Sequence, residues 1–150
     1  MSSKSKSKNN LHETVFYKII QGEMPCHKVY EDDLFLVILD IFPANLGHCL
    51  ILPKTPAENI FDLDDATAAG LVPLAKRVAA AVMVATGCDG VNIIQNNGAA
   101  SGQVIFYYHM HVVPRYHDDK MEISHGSPKH SEGEFAEMAA RIAGFNGNAG

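Results

Sequence analysis

Apolar residues along the chain fall into three patterns, and each predicts a different element. Leu11, Val15, Phe16, Ile19 and Ile20 recur at spacings of three and four, which predicts a short amphipathic helix from Leu11 to Gly22, closed by the glycine. Lys28 to Glu31 and Leu34 to Asp40 are rich in strand formers and flank the turn Glu31-Asp32-Asp33, so they read as a hairpin. His48 to Pro53 is a compact apolar strand ending on a proline. Asp64 or Asp65 can cap a helix that runs to about Thr86 and stops at Gly87. Its apolar stripe is Leu71, Leu74, Val78, Ala81, Val82 and Ala85, and Pro73 either kinks it or splits off its first turn. Val91 to Gln95 and Val104 to Val113 are two further strands, and Glu132 to Phe145 is a terminal helix. About five strands joined mainly by short turns, with one long helix and short N- and C-terminal helices, predict an α+β fold on an antiparallel five-stranded sheet. Residues 1–10 are expected to be a mobile polar tail, 11–117 the folded domain and 118–150 a C-terminal segment.

Composition narrows the function classes. The chain has 150 residues, 47% hydrophobic, with a net charge of -5, which argues against a dedicated nucleic-acid binder. No apolar run approaches the roughly 18 residues of a membrane helix, and the polar N-terminus is unlike a signal peptide, so a cytoplasmic location is expected. Cys26, Cys49 and Cys88 are odd in number and unpatterned in spacing, and are expected to be ordinary buried thiols. Phe61 is expected in the core, and Tyr116, His117, His125 and His130 on exposed loops.

The run Gly102 to Pro114 carries the chemistry. Read with a period of two, Gln103, Ile105, Tyr107, His109, His111 and Val113 share one face, and Val104, Phe106, Tyr108, Met110 and Val112 the other. Two histidines two apart on a strand suit an exposed face or a shared zinc ion. Their company favours a phosphate site: the small-residue loop Asn96 to Gly102 lies just before them, and His48 opens another strand after a glycine. Backbone N–H groups in such a loop cradle a phosphate, and imidazole attacks or protonates a phosphoryl group near neutral pH.

The runs Leu39 to Lys54, Gly90 to Gly98 and Gly102-Gln-Val-Ile-Phe-Tyr-Tyr-His-Met-His-Val-Val-Pro-Arg115 together resemble the histidine triad (HIT) superfamily, and Val15 to Pro25 with Lys28 to Asp33 is similar to the opening of its Hint branch. That resemblance implies hydrolysis at the α-phosphate of a purine nucleoside monophosphate derivative, of AMP or GMP, through a nucleotidyl-histidine intermediate. It implies that His109 is the nucleophile, that His111 binds and polarises the phosphate, and that His48 hydrogen-bonds within the array. Gln103 and Asn96 then serve the leaving group and phosphate, Gly102 gives a backbone contact, and Asp40 accepts the ribose hydroxyls. Phe16, Ile19, Met24, Ile38, Ile41 and Leu50 line the base and sugar pocket. A backbone carbonyl is expected to hold the second ring nitrogen of His109.

Two departures from the resembling motif matter. The first of its three strand histidines falls on Tyr107, whose phenol can make a hydrogen bond but is far less basic. This leaves a nucleotide-binding protein with weak or no catalysis as the alternative to the hydrolase, and a dinucleoside polyphosphate hydrolase as a further one. Some bacterial relatives carry Cys-x-x-Cys where this chain has Thr14 and Tyr17, so no metal or other cofactor is expected. The resemblance also implies a homodimer.

Overall fold

The computed structural model describes residues 10–123, 126 and 129–145; His125 and all of the expected tail except Asn10 lie outside the described residues. Two compact units are present, one through Asp119 and one from Lys120. The first carries β1 (Lys28–Glu31), β2 (Phe35–Leu39), β3 (Cys49–Pro53), β4 (Gly90–Gln95) and β5 (Met110–Arg115) in one antiparallel sheet of order β1-β2-β3-β5-β4. The fold is α+β, as the sequence predicts.

β2 and β3 show no alternation of apolar and polar residues because both faces of the sheet are covered. Phe35, Val37, Cys49 and Ile51 pack on one side with Leu71, Leu74, Ala75, Val78 and Val82 of α2 (Asp65–Thr86). Leu36, Ile38, Leu50 and Leu52 pack on the other with Phe16 of α1 (Val15–Ile20) and Tyr107. Asp64 caps α2 through the Thr67 N–H, and the helix runs through Pro73 as one element. Ala75 joins the buried stripe, whereas Ala81 and Ala85 are exposed, which shows that the stripe follows the sheet contact rather than alanine spacing. By length and mean hydropathy α2 could cross a membrane, contrary to the expectation that no run comes close. Alanines and valines raise that mean around Lys76 and Arg77, and one face is packed on the sheet.

Several local expectations change. The N-terminal helix is broken: Leu11–Glu13 forms a 3-10 turn and Thr14 starts α1 anew by accepting the Tyr17 N–H. The strand predicted over Val104–Val113 begins only at Met110, because β3 pairs with β5 no further than Ile51 with Met110. Phe61 is 85% exposed rather than in the core, while Tyr116 packs partly against the α2 side of the core. Cys49 and Cys88 are buried, but Cys26 is half-buried.

The second unit holds α3 (Glu132–Ala143). Ser131 and Glu134 start it with a reciprocal capping box, and Phe135, Met138 and Ile142 share one helical face.

Candidate active site

His109 and His111 reach one site by different routes. His111 lies on β5 opposite Leu50 of β3. His109 precedes the strand in irregular backbone, 8% exposed, with its ring 4.9 Å from both the Phe16 and the His111 ring centres. Both histidines line a cavity of about 460 Å³ walled by Phe16, Ile19, Ile38, Ile41 and Leu50, with Asp40, Asn96 and Gly102. A volume of that order suits a nucleotide-sized ligand.

Backbone groups determine where each imidazole carries its proton. The Ala44 N–H donates to His48 Nδ1 at 3.1 Å, so neutral His48 is protonated on Nε2. His48 Nε2 lies 2.8 Å from His111 Nδ1, which therefore accepts, and neutral His111 keeps its proton on Nε2. His109 is the opposite tautomer: its Nδ1–H donates to the Tyr107 carbonyl at 2.6 Å and leaves the Nε2 lone pair available. One site thus contains a nucleophilic nitrogen on His109 and an N–H donor on His111, two residues apart. This carbonyl is the backbone group expected to hold the second ring nitrogen of His109.

Burial keeps all three rings neutral. It pulls the pKa of His109 below the ordinary imidazole value, although the Tyr107 carbonyl and Asp40 oppose it. His111 falls to about 4, through burial first and then the neighbouring His109 and His48. His48 is lowered by burial against the raising effect of Asp40. The Asp40 carboxylate accepts the Phe42 N–H at 2.9 Å and stands 3.6 Å from His48 Nε2. Asp40, His48 and His111 bring their potential ligand atoms within 4.8 Å of one another and could hold a metal ion if the His48–His111 hydrogen bond opened.

Not every expected residue faces the cavity. Met24 is 40% exposed and outside the wall. Gln103 is buried with its amide fully engaged: Oε1 accepts the Gly98 N–H, and Nε2 donates to the Glu58 and Ile105 carbonyls. It fastens the Asn96–Gly102 loop to the chain near Glu58 and does not line the cavity among the described residues. His48 acts from behind His111 and is not part of the wall. Val15, Cys26, Phe42, Val104 and Ile105 also line the cavity. Their apolar character carried no distinct signal, and only the tertiary arrangement separates them from core residues.

Comparison with known proteins agrees with this geometry. The HIT domain family matches residues 21–118. The chain is 42% identical over 120 residues to the adenylylsulfatase HINT3 of Arabidopsis thaliana, covering 80% of this chain and 61% of that protein. It is 36% identical over 105 residues to the adenosine 5'-monophosphoramidase hnt1 of Schizosaccharomyces pombe, covering 70% and 76%. A crystal structure of a HIT family protein from Bacillus subtilis superposes with a TM-score of 0.82 at 34% identity, covering 87% of this chain and 95% of that one. The paired histidines at the end of an apolar cavity, the sheet that carries them and these similarities lead to one conclusion: the chain belongs to the HIT domain family.

Proposed function

We propose that the protein hydrolyses purine nucleoside 5'-phosphoramidates at the α-phosphate through a nucleotidyl-histidine intermediate on His109. The observation that carries this reading is the His109 tautomer, with Nδ1–H held by the Tyr107 carbonyl and Nε2 available in a cavity that also contains Asp40. The base rests among apolar side chains, and the two oxygens of Asp40 accept the ribose hydroxyls. His109 Nε2 attacks phosphorus and the bond to the leaving amine breaks, with the amine taking a proton from water at the cavity mouth. The ring becomes cationic at that point, and its Nδ1–H bond to the carbonyl strengthens where charge develops. His111 Nε2–H donates to a phosphate oxygen. Water then displaces His109 and releases the monophosphate.

Charge selects among leaving groups. Among the described residues no lysine or arginine lines the cavity, so a sulfate or polyphosphate leaving group finds no basic side chain from them, whereas a neutral amine needs none. This favours a phosphoramidate, as the name of the fission yeast relative describes, over the adenylyl sulfate named for the plant relative. Steady-state hydrolysis should give kcat/KM for a fluorogenic adenosine 5'-phosphoramidate at least about tenfold above that for adenylyl sulfate or a dinucleoside polyphosphate. The reverse order would reject the assignment, and AMP binding with no turnover would favour a nucleotide receptor. The proposal includes a homodimer, for which the outer face of α2, with Val72 and Val84 exposed, offers apolar surface.

The acid limb of kcat/KM reports the free enzyme's base. Because burial depresses the His109 pKa, the neutral nucleophile persists below pH 6.5. Activity should therefore rise with pH through a midpoint below 6.5 and stay level up to about pH 8. A midpoint at or above 7 would contradict the buried, neutral ring.

A further inference from the structure

The segment that carries the nucleophile lies beyond the end of a ladder. β3 runs to Pro53 and remains paired with β2 there, through Phe35 with Pro53, but its pairing with β5 stops at Ile51 with Met110. Tyr107 spans this gap: its hydroxyl donates to the Pro53 carbonyl at 2.5 Å, and its side chain is completely buried among Phe16, Leu36, Ile38, Leu50 and Leu52. One residue on, the Tyr108 N–H donates to the Ala57 carbonyl at 2.7 Å. The carbonyl of Tyr107 itself is the group that holds His109 Nδ1–H.

We propose that Tyr107 is a positioning residue for the reaction proposed above: its phenol, tied to the Pro53 carbonyl, replaces the missing ladder bond and so holds in place the backbone carbonyl that orients His109. The reading of the site as a hydrolase is assumed for the kinetic effects only. A phenol suits this task because it adds no second base beside the nucleophile. Burial drives its pKa well above the ordinary phenol value, with Tyr17 of α1 adding to the effect, so it remains a donor throughout the working pH range. An imidazole at the same place has a reference pKa of about 6.5 and would titrate alongside His48, His109, His111 and Asp40.

The test compares wild type with Tyr107→Phe and Tyr107→His, using a fluorogenic adenosine 5'-phosphoramidate, calorimetry with AMP and nitrogen-resolved NMR of the histidine rings. Tyr107→Phe keeps the ring in its apolar bed and removes only the anchor. It should lower kcat roughly 10- to 100-fold, as small misplacements of a reacting group do, while KM and the AMP Kd change less than about threefold. The His109 spectrum should change from one Nδ1–H tautomer to a mixture. A folded Tyr107→Phe protein with wild-type kcat and a single Nδ1–H tautomer overturns the proposal. If that variant does not fold, Tyr107→His decides: a lowered kcat with an added ionisation in the acid limb supports the anchor, and a profile superimposable on wild type overturns it. If wild type turns over no phosphoramidate, the hydrolase reading fails by itself. The His109 tautomer comparison still decides the role of Tyr107, because it needs no substrate.

Discussion

Replacing His109 with alanine should reduce phosphoramidate turnover by at least about 10³-fold while leaving AMP affinity within about fivefold of wild type. Loss of a nucleophile removes the two-step route altogether, and groups that act as a unit do not compensate for one another. Under the proposed function binding should survive, because Phe16, Ile19, Ile38, Leu50 and Asp40 line the same cavity and would supply the base and ribose contacts. Truncating a ring that is 8% exposed and lies against Phe16 will also lower stability by about 3 kcal/mol. Thermal melts must therefore confirm that the assayed protein is folded. Turnover within tenfold of wild type would remove His109 from the mechanism. Loss of AMP binding in a folded variant would show that the ring is a binding element instead.

Replacing Gly47 with alanine should cost about 3 kcal/mol, against about 1 kcal/mol for the same change at Gly87, in parallel urea melts. Both glycines have positive φ, +102° and +65°, and both would strain an L side chain. Only Gly47 is also crowded: a Cβ there would meet the Thr86 methyl at 2.7 Å, whereas nothing lies within 4 Å of one at Gly87. The methyl cannot rotate away freely, since Thr86 Oγ1 donates to the Val82 carbonyl and accepts the Cys88 N–H. Equal losses at the two positions would mean that backbone strain alone matters and that the loop before β3 can move off α2. Gly47 also precedes His48, so the larger loss should come with a reduced kcat/KM as the hydrogen bond to His111 is disturbed.

The histidines were visible in the sequence because their residue type and spacing are chemical facts that folding does not alter. The same holds for the hairpin, for α2 with its Asp64 cap and Gly87 stop, and for the alternation that sends Tyr107, His109 and His111 to one side of the sheet and Tyr108, Met110 and Val112 to the other. These features rest on local propensities and on periods of two and 3.6, which the chain carries with it. The sequence also indicated that a carbonyl would hold His109, though not which one.

Tertiary structure decided what depends on partners distant in the chain. Gln103 reads as a polar group on a catalytic face, but its amide is satisfied by Gly98, Glu58 and Ile105, and a residue 45 positions away cannot be inferred from spacing. Strand periodicity continued through residues 104–109, yet β5 begins at Met110 because β3 offers β5 no pairing beyond Ile51. The proton positions on the three imidazoles follow from single backbone groups at Ala44 and Tyr107, whose orientation exists only once the loops are folded. Sequence therefore determined which chemical groups this protein has and which face of the sheet carries them. Only the tertiary structure decided which of those groups remain available for a ligand, because a hydrogen bond satisfied across the fold withdraws a side chain from chemistry without leaving a mark in the sequence.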